Sequence, residues 1–403
     1  MMAKSDRIAM LSIHSSPLGR LGSMDTGGMS VYLLELATEL GKKGRQVDIF
    51  TRETEPGMEQ LIDYAANVRI ISLAIGGTRD LYRSALLTHL HRYRQAIETF
   101  CRQSGFSYQV IHSNYWLSGI VGDQLKAVWK CPHVITFHTL GNAKIAARKH
   151  HQEDLRRLSE EARLLQCCDG VIVPTSEERE RLLAMKGGNQ SRLYIVPLGV
   201  NLEHFKLDER VAGAKTADRK DNPVVLFAGR FDPMKGVEIA VKAMGLLSEK
   251  PEAHLVLVGG DGSKSAANKK LEHVVNELRM NGQVHFHGAV DYQQMPLYYQ
   301  KADAVVVSSY YESFGMAILE ALASGTPVAA TAVGIAPHVI QPGINGYLAA
   351  DVNEHSLANA IAATLELARR GEKAKIRQSV YDYSWSRVAG STLDVYNDLL
   401  IPS

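Results

Sequence analysis

The stretch VVLFAGRFDPMKGVEIAVKAMGLL, Val224 to Leu247, decides the fold. Five apolar residues lead into a loop punctuated by Gly229, Pro233 and Gly236, and an amphipathic run follows from Val237. A short unbroken apolar run bounded by turn residues fits a strand buried on both faces, and the 3.6-residue apolar period after it fits a covering helix. The same unit repeats outward in both directions. Downstream, strands are predicted at 253–258, 284–287, 304–308 and 327–330, with helices near 237–247, 269–280, 316–323 and 356–368. Upstream, strands are predicted at 7–13, 46–51, 68–73, 110–112, 133–137, 170–173 and 193–196, with helices at 31–43, 81–101, 117–128 and 154–167. The charge-dense stretch from Asp208 to Asn222 separates the two series and reads as an exposed connection. The class is therefore α/β, with two doubly wound domains at 1–200 and 201–383 and ligands expected beyond the carboxyl ends of the strands.

Composition narrows the function. At 403 residues the chain is long enough for two cores. Lysine and arginine total 45 against 43 acidic residues, a net charge of +2, so a protein that coats nucleic acid is excluded and phosphate recognition has to be local. No solenoid-length repeat or low-complexity tract occurs. Four cysteines, Cys101, Cys131, Cys167 and Cys168, lack C-x-x-C spacing and read as reduced thiols. The first residues read as a strand rather than a signal peptide, and the longest uncharged stretch, 321–337, is broken by Pro327. A cytoplasmic protein without an integral membrane segment is the expectation.

Three loops carry chemistry. The first runs from His14 through Asp25, Thr26, Gly27, Gly28 and Ser30 into the helix predicted from Val31. Paired glycines before a helix let backbone N–H groups approach an anion, although they equally serve an ordinary β-α turn. The second places Arg230 and Lys235 five residues apart on a strand-to-helix loop, a fork and a point charge suited to a diphosphate, or else a solvated basic loop. The third is Glu312-Ser-Phe-Gly-Met-Ala-Ile-Leu-Glu320. Gly315 stands where a helix should begin, so Glu312 precedes it and Glu320 lies on its first or second turn. Carboxylates so placed can accept from sugar and ribose hydroxyls while the helix start meets phosphate, although such spacing is also common on helix surfaces.

Gly229-Arg230, Lys235-Gly236, Glu312, Phe314-Gly315 and Glu320 together resemble the donor signature of glycosyltransferase family 4, retaining enzymes of the GT-B fold, in which two doubly wound Rossmann-like domains face across a cleft. The likeness spans nearly the whole chain. His14 to Ser16, Asp25 to Met29, Ser113-Asn-Tyr-Trp-Leu-Ser-Gly119 and Thr136-Phe-His-Thr-Leu140 resemble the mycothiol-pathway branch acting on inositol phosphate, and Arg156 to Glu161 resembles sucrose-phosphate synthase. The resemblance implies a metal-independent hexosyltransferase with no cofactor, using UDP-glucose or UDP-N-acetylglucosamine and a phosphorylated sugar or polyol.

It further implies residue roles. Arg230 and Lys235 would balance the diphosphate, aided by Gly27 and Gly28. Glu320 would hold the ribose, Glu312 the transferred sugar, and Phe314, Gly315, Met316 and Ala317 the remaining sugar oxygens. His138 would point at the donor sugar. Asp25, Tyr115, Thr139 and Arg157 would bind the acceptor in the first domain, with Arg79 or Arg83 as a further cation. Residues 384–403 resemble the family's terminal helix, which packs back on the first domain. Ser30 replaces the asparagine of the mycothiol enzymes and Asn114 the more usual histidine. A nucleotide-sugar epimerase of the same fold and a non-catalytic nucleotide-sugar binder remain alternatives, as does a homodimeric assembly.

The histidine pairs His89/His91, His150-His151 and His285/His287 lack an accompanying carboxylate or thiol set, so no metal site is expected. No aromatic-plus-basic stripe supports a nucleic-acid partner.

Overall fold

The computed structural model describes residues 6–18, 27–54, 57–75, 83–148, 151–207, 222–247, 253–260 and 265–401. The chain divides into two compact units, one built from Asp25–Pro197 with the first residues and Trp385–Ser403, the other from Leu198–Ser384. The charge-dense connection at 208–221 and the candidate residues Asp25 and Arg79 lie outside the described residues.

In the first unit, eight strands form one sheet: β1 (Arg7–Ser12), β2 (Gln46–Arg52), β3 (Leu61–Ala65), β4 (Val68–Leu73), β5 (Val110–Asn114), β6 (His133–Thr136), β7 (Gly170–Val173) and β8 (Leu193–Ile195). Their spatial order is β3-β4-β2-β1-β5-β6-β7-β8. All pairings are parallel except β3 with β4. The order reverses between β1 and β5, the point at whose carboxyl ends doubly wound sheets hold ligands. The loop after β1 is pinned to the far side of this point: Ile13 N donates to Ser118 Oγ at 3.0 Å, and the His14 ring lies 4.3 Å from that of Tyr115.

The second unit repeats the scheme with six parallel strands: β9 (Val224–Ala228), β10 (His254–Val258), β11 (Val284–Gly288), β12 (Ala304–Val307), β13 (Val328–Thr331) and β14 (Gly346–Ala349). The order β11-β10-β9-β12-β13-β14 is the doubly wound arrangement, with its reversal between β9 and β12. Val225, Phe227, Leu255, Leu257 and Ile361 are buried in its core, each contributing about 1.5–3 kcal/mol of burial. The loops leaving β9 and β12 are joined, since Tyr310 N donates to Met234 O at 2.9 Å and Ser308 Oγ to Lys235 O at 3.0 Å. Gly236 makes this approach possible: its φ is +63°, and a Cβ there would stand 2.0 Å from Ser308 O.

The structure adds elements that the sequence pattern does not announce. Strand β3 is largely exposed, so it lacks the apolar run of a buried strand. The helix expected at 81–101 is two, Arg83–Leu87 and Leu90–Ser104. Strand β14 and the helix Met295–Lys301 are short and were absorbed into loops by the periodicity.

The helix Trp385–Leu400 belongs to the first unit. Trp385, Val388, Ala389, Thr392, Val395 and Tyr396 recur at helical spacing and form its buried stripe. Trp385 packs edge-on to Tyr32 of the helix Gly28–Lys42, at 5.9 Å. Tyr396 Oη lies 2.6 Å from His112 Nδ1, and the other ring nitrogen, Nε2, lies 2.9 Å from Thr136 Oγ1. Burial pulls the His112 pKa down to about 3, so this ring is a neutral link with both nitrogens in use. Tyr396→Phe leaves one of those nitrogens without a partner and is expected to cost about 1–3 kcal/mol, seen as a lower urea midpoint for the first unit. An unchanged midpoint would show that the bond adds nothing to holding this helix.

Candidate functional site

The second unit gathers the predicted donor groups at its strand reversal. Asp232 Oδ1 accepts from Met234 N at 2.8 Å and caps the turn Pro233–Lys235, which sets the start of the lysine side chain. Lys235 Nζ then donates to both oxygens of Glu312, at 2.6 and 2.8 Å. Ser309 Oγ donates to Glu312 Oε1 at 2.6 Å. Two residues that the sequence reading assigned to different parts of a donor are thus in direct contact across 77 positions of chain. Arg230, on the same loop, keeps a more open side chain and approaches Asp232 at 3.9 Å.

Gly315 begins the helix Met316–Ala323 with φ +94°, a left-handed conformation that glycine adopts without strain. No side chain caps this helix, so the half-buried backbone of Gly315, Met316 and Ala317 forms a positive helix end beside Glu312. Phe314 is buried, and its carbonyl accepts from Ile335 N, which braces the loop from behind. Glu320, one turn further on, is buried, with Oε2 accepting from Tyr299 Oη at 2.8 Å. Burial raises its pKa from the ordinary 4.5 to about 7, against the opposing hydrogen bonds of Tyr299 and Tyr292.

In the first unit the candidates cluster at the ends of β1, β5 and β6. Gly27 precedes the helix Gly28–Lys42, which has no side-chain cap among the described residues, and a Cβ on Gly27 would meet none of those residues within 4 Å. Ser30 is buried there, and its hydroxyl has no hydrogen-bond partner among the described residues. Tyr115 and His138 follow β5 and β6 with φ of +75° and +61°, strained values for non-glycine residues of the kind that concentrates at functional sites. His138 Nε2 lies 2.9 Å from Asn114 Oδ1, and its ring meets Tyr32 edge-on at 5.0 Å. Burial lowers its pKa to about 3, leaving a neutral imidazole.

Arg157 is only 2 % exposed and is held by Glu161 of its own helix, by Glu153 just ahead of that helix and by Thr139. Nε donates to Glu161 at 2.6 Å, Nη1 to Glu153 at 2.9 Å, and Nη2 to the carbonyl and hydroxyl of Thr139 at 2.8 and 3.1 Å. The guanidinium also lies 5.2 Å from the Tyr115 ring centre. The structure therefore brings Tyr115, Thr139 and Arg157 together, with two carboxylates already on the arginine. Glu153 and Glu161 flank it at i−4 and i+4, a signal present in the sequence. Arg83 begins a helix, but its side chain lies outside the described residues.

Residues 27–199 match the family model described as glycosyl transferase 4-like domain, and residues 209–381 match glycosyl transferases group 1. A D-inositol 3-phosphate glycosyltransferase of Corynebacterium glutamicum is 34% identical over 408 residues, covering 98% of this chain and 97% of that protein. A protein of the same description from Mycolicibacterium gilvum is 33% identical, covering 97% and 89%. Among solved structures, sucrose-phosphate synthase from Thermosynechococcus elongatus superposes with a TM-score of 0.85 at 32% identity, covering 98% of each chain. The Anabaena HepE protein, solved with UDP and glucose, shares the fold at a TM-score of 0.73 and 19% identity, covering 98% of this chain and all of that one.

The Glu320 environment makes a measurable prediction. With a folded pKa near 7 against 4.5, this carboxyl favours the folded state below pH 4.5, and the advantage is lost as pH rises through 7. The difference is on the order of 3 kcal/mol. Glu320→Gln should remove it, so the variant gains stability relative to the parent as pH rises from 5 to 8 in urea unfolding. Parallel curves for the two proteins would refute the buried, high-pKa carboxyl.

Proposed function

The chain belongs to the glycosyltransferases of family 4, with the GT-B fold, and from that membership we propose that it transfers a hexosyl group from a nucleoside diphosphate sugar to a hydroxyl of a small phosphorylated sugar or polyol. The donor is UDP-glucose or UDP-N-acetylglucosamine, the anomeric configuration is retained, and no metal ion takes part. The observation that carries this reading is Lys235 Nζ, fixed between both oxygens of Glu312 beside the uncapped helix at Gly315. A phosphorylated acceptor is supported by the names of the inositol-phosphate and sucrose-phosphate relatives.

In the proposed reaction the bond from the anomeric carbon to the diphosphate oxygen breaks, and the leaving group gathers negative charge. Lys235, Arg230 and the Gly315 helix end stabilise that charge from the second unit, as a divalent cation does elsewhere, and the family resemblance gives the N–H groups at Gly27 and Gly28 a share in the same task. The acceptor oxygen bonds to the anomeric carbon from the same face, and its proton passes to the departing phosphate oxygen. Glu312 and the backbone of Phe314 to Ala317 hold the sugar hydroxyls, and Glu320 the ribose. His138, neutral at the end of β6, meets the donor sugar without adding positive charge near the electron-poor carbon.

Tyr115, Thr139 and Arg157 make up the acceptor's phosphate subsite. An incoming phosphate contends there with Glu153 for the Nη1 edge of Arg157. Two or three charge-assisted hydrogen bonds to such a group separate phosphorylated from neutral acceptors by about 10- to 100-fold in kcat/KM.

A matrix of UDP-, GDP- and ADP-sugars against inositol phosphate, fructose 6-phosphate and their neutral counterparts tests the assignment. A UDP-sugar with a phosphorylated acceptor should give an α-linked product by NMR, at a rate unaffected by EDTA. Lys235→Ala should lower kcat/KM by about 10²–10³-fold. Inversion at the anomeric carbon, loss of turnover to EDTA, or epimerisation of the donor without acceptor would each overturn a stated part of the reading.

A further inference from the structure

We infer that Asn114 is a positioning residue for the transfer proposed above: its side-chain carbonyl holds the Nε2 proton of His138, so that the imidazole offers an unprotonated Nδ1 as its reactive edge. The inference rests on the assignment of His138 to the donor sugar, and it adds which nitrogen acts and what selects it.

Asn114 is the last residue of β5 and is fully buried. Its amide has two unlike ends. Nδ2 donates to the carbonyl of His112 on the same strand at 3.3 Å, and Oδ1 faces His138 Nε2 at 2.9 Å. Turning the amide over would set Oδ1 against the His112 carbonyl oxygen, two acceptors with no proton between them. The orientation is therefore decided by the strand, independently of His138. Since Oδ1 can only accept, the hydrogen bond at 2.9 Å requires a proton on Nε2. A neutral imidazole carries one N–H, so Nδ1 is the lone pair.

The surroundings hold this choice in place. The His138 backbone sits at φ +61° at the end of β6, and the Tyr32 ring stands nearly perpendicular to the imidazole, at 77°. Tyr115 N donates to Thr136 O at 2.9 Å, tying the end of β5 to the end of β6 beside the two side chains. The ring is held neutral by burial, with no carboxylate acting on it.

The tautomer matters chemically. A bare Nδ1 accepts a hydrogen bond from a sugar hydroxyl and presents electron density to a carbon that becomes electron-poor as its bond to the diphosphate opens. The opposite tautomer would present an N–H dipole with its positive end toward that carbon. A histidine at position 114 could either donate or accept, whereas asparagine tied to the His112 carbonyl can only accept.

The full-length protein labelled with 15N-histidine tests this by long-range proton–nitrogen correlation, with His138 assigned by its loss in His138→Gln. The expected spectrum has a protonated Nε2 and an unprotonated Nδ1. Asn114→Leu should move His138 toward the other tautomer and lower kcat by about 10- to 100-fold, a loss typical for residues that orient a functional group. The donor KM should change less than about threefold on the same reasoning. Asn114→Asp, which still accepts from Nε2, should keep that nitrogen protonated. An Nδ1-protonated His138 in the parent protein overturns the inference, and that spectrum decides it even if Asn114→Leu fails to fold. Turnover unchanged in a folded Asn114→Leu while His138→Gln is impaired overturns the role of Asn114 alone. Turnover unchanged in His138→Gln overturns the assignment of His138 itself.

Discussion

Each unit depends on one topological constraint, the reversal of strand order beside its first strand. In a parallel sheet every strand-to-helix loop leaves at the same end. Where the order reverses, the two neighbouring strands send their helices to opposite faces, and their loops face each other across a crevice at the strand ends. Between β9 and β12 this brings the loop of Lys235 to that of Glu312. Between β1 and β5 it brings the loop of His14 to Tyr115 and Ser118. Local sequence fixes neither meeting. Both follow from β9 pairing on its two sides with β10 and β12, and β1 with β2 and β5.

A crevice made this way is lined first by backbone, which explains how the sites are furnished. The donor-side helix starts without a side-chain cap at Gly315, and the first unit's helix does so at Gly27. Neither start has a side-chain cap among the described residues, which costs helix stability that packing of the rest must offset. The strained backbone of Tyr115 and His138 belongs to the same pattern. Tyr115 follows β5 directly and His138 lies two residues beyond β6, where the chain must turn sharply to aim a side chain, and a buried sheet is stiff enough to hold them there.

These origins explain what could be read from the sequence. The strands buried on both faces are unbroken apolar runs, so β9 is found to the residue, and β7 likewise. Strand β3 escapes because its residues are mostly exposed and its partner runs antiparallel at the sheet edge. The break between the helices Arg83–Leu87 and Leu90–Ser104 escapes because neither glycine nor proline marks it; Thr88 and His89 instead close turns onto Ala85 and Leu86. The donor-side residues were legible as types on loops, through resemblance, but the contact of Lys235 with Glu312 was not, since nothing local links positions 77 apart. Arg157 is legible as a cation, but its enclosure is not: the helical period places Glu161 one turn away, whereas Glu153 lies ahead of the helix Leu155–Cys167 and reads as an interruption of a basic run. Asn114 stood out only as a departure from the usual histidine, and its meaning needed the His112 carbonyl.

The same economy of charge recurs in both units. Lys235 is held by Glu312, and Arg157 by Glu153 and Glu161, so each cation is positioned by an internal carboxylate. A lysine or arginine side chain loses about 2 kcal/mol of rotamer entropy when fixed, and here that loss is met in folding rather than at ligand binding. The consequence for recognition is an exchange of partners. An incoming anion has to displace or share a carboxylate, so a singly charged, weakly accepting group gains little, while a phosphate or diphosphate offers more oxygens and more charge than the glutamate it meets. In the proposed reaction, selectivity for phosphoryl groups would arise from competition inside the protein, and it would not need an unusually positive surface, in keeping with a net charge of only +2. His138 stands outside this exchange. Neutral and tied through Nε2 to an amide rather than a carboxylate, it faces no counterion that a ligand must replace, which suits a group whose task is to meet a developing positive centre.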